Sequence, residues 1–256
     1  MNSLLRRRCT GRRATRTLRS AVAVVVTFAA TGILLAFPTT SSAVGTCGTS
    51  ATTNNRGVAT TQNEYQDVWS WIVTKSPQLC TGTAGGGTPF SYAWVMLASN
   101  DTNNWAQVGP ASWAGVLGRE TTFQWTDNGN PQPPVFHPAA ALGTAPSYEV
   151  AYISSSGKTR MTGNGYIEEI SVNPFASWAR PINAQVAGET NYCGSNLPGT
   201  QASPEEFRDI AGVQYGGSIS TLTDAAYFGK GCESQGRYFR QWGTFPTLLQ
   251  MWTYPT

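Results

Sequence analysis

The sequence predicts an all-β fold, an antiparallel two-sheet β-sandwich with one short helix. Three observations predict it. Runs rich in Val, Thr, Tyr, Phe and Trp recur along the chain, separated by clusters of Gly, Asn, Asp and Ser. Charge is sparse: after residue 43 only 24 of 213 residues are Asp, Glu, Lys or Arg, while all nine Trp lie there. Only one segment carries the punctuation of a helix.

Residues 1–43 read as a secretory signal outside the fold. Seven arginines lead into an apolar run at 21–36 ("AVAVVVTFAATGILLA"), and "SSA" at 41–43 supplies small residues for cleavage. The 16-residue run falls short of the roughly 20 residues of a membrane span; an N-terminal anchor is the alternative. The remaining 44–256 is expected to be one extracellular domain with no membrane contact. Seven of the 17 Lys and Arg leave with the signal, so ten stand against 14 Asp and Glu, a net charge of −4. With no basic run, nucleic acid is not an expected partner.

Cys9 also leaves with the signal. Cys47, Cys80, Cys193 and Cys232 form an even set, which in an exported chain reads as two disulfides with three possible connectivities. Nearness in sequence favours Cys47–Cys80 and Cys193–Cys232.

Along the domain, residues 44–57 form a turn-rich lead-in held by Cys47. "DVWSWIVT" (67–74) is the first strand. "GTAGGGTP" (82–89) is a connector, because it lacks the Lys-Ser/Thr ending and following helix of a phosphate-binding loop. "FSYAWVMLA" (90–98), "NWAQVG" (104–109) and "ETTFQWT" (120–126) are strands, the first two divided by the turn cluster "SNDTNN". Residues 131–142 are proline-rich and irregular. "SYEVAYIS" (147–154) and "TRMTGNGYIEEISV" (159–172) form a hairpin with a further pairing, and "WARPINAQVAGETN" (178–191) holds the next strand. The helix is 203–213. Ser203 caps it, Pro204 suits the first turn and Glu206 closes a capping box. Phe207 and Ile210 give it a buried side.

The residues available prune the chemistry. The single histidine, His137, excludes any site that needs two, so no histidine-pair zinc site exists. No Gly-x-Ser-x-Gly elbow accompanies it, and His137 reads as a loop residue. Glu168 and Glu169 are adjacent on a strand, so they point to opposite faces. They cannot flank one glycosidic bond, where the two carboxyls stand roughly 5–9 Å apart. Gln107 and Glu189 are the better pair. Alternation puts Trp105, Gln107 and Gly109 on one face, and Gln185, Ala187 and Glu189 on another. If those faces align, a carboxylate can deprotonate a water and an amide can donate to the oxyanion that follows.

"YAWVML", "WAQVG", "TFQWT" and "AQVAGET", in that order across residues 90–200, resemble the strands of the eqolisin-type glutamic peptidases and of the related neprosin group. The family's "EW" reads Gln124-Trp125 here, and its Trp-Ile-Val reads Val186-Ala187-Gly188. The resemblance implies a jelly-roll or concanavalin-like sandwich. It also implies Gln107 and Glu189 as catalytic residues, with Trp105 and Trp125 lining a cleft for a polypeptide substrate. It implies acidic-pH hydrolysis with no cofactor and no metal. Two other readings use the same fold. Gln107 and Glu189 can be structural, with Glu189 paired to Arg180 or Lys230. Alternatively, Trp105, Trp113 and Trp125 can stack sugar rings in a non-catalytic polysaccharide- or cell-wall-binding protein. A monomer is expected throughout.

Overall fold

The computed structural model describes residues 46–47, 53–82, 87–116, 119–217, 219–222, 224–230 and 238–254. The expected signal at 1–43, residues 83–86 of the glycine-rich connector, and Cys232 lie outside the described residues. Those described fall within one compact unit, Ser41–Thr256.

The strands divide between two antiparallel sheets. The first holds β1 (Asn54–Thr60), β3 (Phe90–Ala98), β4 (Trp105–Trp113), β5 (Glu120–Asp127), β6 (Asn130–Pro131), β7 (Val135–Pro138), β11 (Asn183–Thr190) and β15 (Ala225–Lys230). Its order is β15-β1-β11-β3-β4-β5-β6, with β7 also paired to β5. The second holds β2 (Tyr65–Ile72), β8 (Ser147–Ile153), β9 (Lys158–Gly163), β10 (Tyr166–Ile170), β12 (Gly199–Thr200), β13 (Ser203–Gln214), β14 (Ile219–Thr221), β16 (Tyr238–Trp242) and β17 (Leu248–Tyr254). Its order is β10-β9-β8-β2-β13-β17-β16, with β12 and β14 on β13.

The main core lies where the inner faces meet. Val95, Leu97, Ala106, Val108, Phe123 and Val186 of the first sheet join Val68, Ile72, Val150, Met161, Phe207 and Met251 of the second. In β3 and β4 these residues recur every second position, the period that gives a strand one face toward the core. A smaller apolar cluster, Tyr92, Trp94, Ala111 and Ala187, forms on the other face of the first sheet. That outer face carries the groove described below.

Several expectations are corrected. Residues 203–213 are not helical but the twelve-residue strand β13. Its pairing with β2 slips between Arg208 and Ala211, and Asp209 there has φ of 51°. This bulge brings Phe207 and Ile210 to the same side three residues apart, which mimics helical spacing. The helix that does form, α1 (Pro174–Ser177), is a single turn, with the Asn173 side chain accepting from the N–H groups of Phe175 and Ala176. The lead-in runs into β1, which begins at Asn54, and the irregular stretch 131–142 contains β7, which carries His137. His137 is therefore a strand residue. Its Nε2 lies 3.0 Å from Glu168 Oε1, and its ring stacks on Tyr166 at 4.4 Å. Glu169 instead faces Lys158, 3.5 Å away, so the two adjacent glutamates do diverge. Cys47 and Cys80 are bonded to each other. Cys193 is disulfide-bonded as well.

Among the described residues no helix is long and apolar enough to cross a membrane.

Candidate functional site

The groove is built on β3 and its neighbours. On the outer face β3 presents Tyr92, Trp94 and Met96, β4 presents Trp105 and Gln107, and β11 presents Gln185 and Glu189. These residues, with Gln124 of β5, border one cavity of about 670 Å³. Gln107, Glu189 and Trp105 therefore share a site.

Register fixes how they are arranged. Gln185 lies opposite Met96, Met96 opposite Gln107, and Gln107 opposite Gln124. Three amides thus lie in one row across the strands, interrupted only by a methionine. The Gln107 amide nitrogen donates to Gln124 Oε1 at 2.9 Å. Glu189 lies in a different row, opposite Tyr92, which in turn is opposite Ala111. It is two strands and four residues away from Gln107, about 16 Å between Cα atoms at ordinary strand spacing and rise. No hydrogen bond joins them. Gln107 is held toward β5, on the side away from Glu189.

Between those rows stands Trp94. Its indole N–H donates to Glu189 Oε2 at 3.2 Å. Small residues flank it: Ala187 is its partner on β11, and Gly109 lies alongside on β4. A Cβ on Gly109 would sit 1.8 Å from the Ala93 carbonyl oxygen, so only glycine allows β3 and β4 to approach this closely. Burial pushes the Glu189 carboxyl up to about 7, against the opposing pull of the Trp94 N–H.

The remaining site residues divide. Trp105 is half-buried in the row beyond Gln107, opposite Ala98. Trp125 is not in the groove. It lies opposite Ala106 and packs against the core between the sheets, because it is one residue out of phase with Gln124. Arg180 is bound to Glu64 rather than Glu189, and the side chain of Lys230 is outside the described part. Trp94 was overlooked in the sequence. Strand β3 is apolar on both faces, so its pattern did not show which residues faced outward, although Trp94 stands in phase with Tyr92 and Met96. No group of three or more metal-ligating side chains occurs among the described residues.

Neither a family model nor a curated protein sequence matches the chain. Solved structures that it resembles include toad ovary galectin in complex with thio-digalactose, at 10% identity and a TM-score of 0.31, over 54% of this chain and 93% of that one. Another is the kappa-carrageenase from Pseudoalteromonas carrageenovora in complex with an oligotetrasaccharide of kappa-carrageenan. There the identity is 10% and the TM-score 0.33, over 80% and 83% of the two chains. A native glycosidic hydrolase matches at 10% identity and a TM-score of 0.31, over 54% and 75%.

Proposed function

We propose that this chain is an extracellular carbohydrate-binding protein whose outer-face groove takes a neutral polysaccharide. The observation that carries the reading is the row of Gln185, Gln107 and Gln124 beside Trp105. An amide both donates and accepts hydrogen bonds, as a sugar hydroxyl does. A partly open indole offers the flat apolar surface that a pyranose ring can stack on. The groove is bordered by one carboxyl group, Glu189, and by no Lys or Arg among its described residues. Sulfated or uronic glycans would meet no counter-charge there, which favours a neutral chain. The Cys47–Cys80 bond and the expected signal support an oxidising, extracellular setting.

One observation favours hydrolysis in the same groove. A carboxyl lifted to about 7 is suited to exchanging a proton near neutral pH. In a glutamic-peptidase reading Glu189 takes a proton from water and Gln107 donates its second amide N–H to the oxyanion. Substrate would have to draw the two side chains together across Trp94. Trp125 has no part in it.

Pull-down on insoluble cellulose, chitin and β-1,3-glucan tests the first reading against the second. Retention of the wild type on at least one of them is expected, weakened about tenfold or more in Gln107→Ala and in Trp105→Ala, a loss of about 1.4 kcal/mol each. The opposite result is no retention, with cleavage of a denatured protein that rises toward and above pH 7, where Glu189 is ionised, and that Glu189→Gln abolishes. It would replace the glycan reading with the peptidase one.

A further inference from the structure

We propose that the groove continues into a second, aromatic subsite that stacks further rings of the same neutral glycan, an inference that rests on the glycan reading above. A separate cavity of about 650 Å³ is bordered by Phe90, Trp113, Val116, Glu120 and Phe136. Phe90 borders both cavities, so the two are neighbours at the start of β3.

The second cavity has the build of a stacking surface. Phe90 lies opposite Trp113 across β3 and β4, and their rings are 5.0 Å apart. Trp113 meets Phe136 edge-on at 5.8 Å. Phe136 is 44% exposed, so this aromatic row reaches solvent. The Trp113 indole N–H is buried and makes no hydrogen bond among the described residues. Glu120, partly exposed beside these rings, can accept from hydroxyls at the edge of a stacked sugar.

Spacing says what could occupy both. Gln107 and Trp113 are six residues apart on one strand, about 20 Å at ordinary strand rise. A single sugar ring cannot reach from the amide row to the aromatic row, whereas an oligosaccharide lying along β4 can. The two subsites then act on one chain, and the second adds affinity only for ligands long enough to reach it.

Calorimetric titration of the mature protein with disaccharides and hexasaccharides of cellulose, chitin and β-1,3-glucan tests this. The wild type should bind one hexasaccharide at least about tenfold more tightly than its disaccharide. Phe136→Ala and Trp113→Ala should each shrink that ratio toward one while leaving the disaccharide affinity unchanged, and Gln107→Ala should weaken both lengths. The exposed Phe136 keeps the test valid if Trp113→Ala unfolds. If the two lengths bind alike, or Phe136→Ala leaves the ratio intact, the second subsite falls and the glycan reading stands. If the wild type binds none of these sugars, or Gln107→Ala changes neither affinity, both fall together.

Discussion

Glu189 holds its proton because burial disfavours the charge more than the Trp94 N–H favours it, and the balance leaves its carboxyl near 7. Below that pH the group can donate to a ligand oxygen as well as accept; above it the group only accepts and carries a charge. Glycan affinity should therefore change with a midpoint near pH 7. Glu189→Gln, an uncharged mimic of the protonated form, should give a flat profile in the same titration. The placement of Gln107 beside Trp105 on one strand face was legible in the sequence, since alternation along "NWAQVG" suffices to give it. Its partners in the amide row, Gln124 directly opposite and Gln185 beyond Met96, depend on which strands pair and in what register. That information lies in contacts between distant segments, so "AQVAGET" and "ETTFQWT" do not reveal it locally.

Strand β13 shows why an element can be misread. Its capping residues, proline and apolar spacing all point to a helix, yet a one-residue bulge at Asp209 yields the same spacing in a strand. Partners decide the outcome, because propensity in a strand is mostly the packing around it. One partner is ionic. Glu205 on β13 faces Arg119, just before β5, at 3.3 Å with both side chains almost wholly buried. Arg119 also donates to the carbonyl of Pro110 on β4, so the pair ties the second sheet to the first. Burial pushes the Glu205 carboxyl up while Arg119 pulls it down. Arg119→Ala leaves that carboxyl buried without its cation and should cost about 3–5 kcal/mol in denaturant unfolding. The strands at 67–74, 90–98 and 147–154 were legible because each is a run dense in β-branched and aromatic residues bounded by turn residues. Strand β1 was not, because its Gly57 and Asn54 resemble turn residues.

At the scale of the whole molecule, stability should peak in mildly acid solution. Burial and the nearby Glu149 charge lift the Asp67 carboxyl to about 7, with Arg160 opposing, and burial lifts Glu189 to about 7 as well. Between about pH 4 and 7 the folded chain then binds more protons than the unfolded one, so these two groups contribute stability that fades as pH rises through 7. Glu64 acts the other way. Its hydrogen bond from Arg180 lowers its carboxyl, and that contribution is lost in stronger acid. Thermal unfolding followed across pH should give a higher Tm near pH 5 than near pH 8, and a fall below about pH 4. The Cys47–Cys80 bond matters differently, in mechanical terms. It closes a ring of sequence separation 33 that contains one strand from each sheet, β1 and β2. Tension entering from the N-terminal side crosses from Cys47 to Cys80 through sulfur and never loads those two strands. About 110 Å of chain is thereby withheld from extension. A protein anchored by its groove to a fixed polymer, and dragged by flow, would keep β1 and β2 out of the extended chain until that bond was reduced.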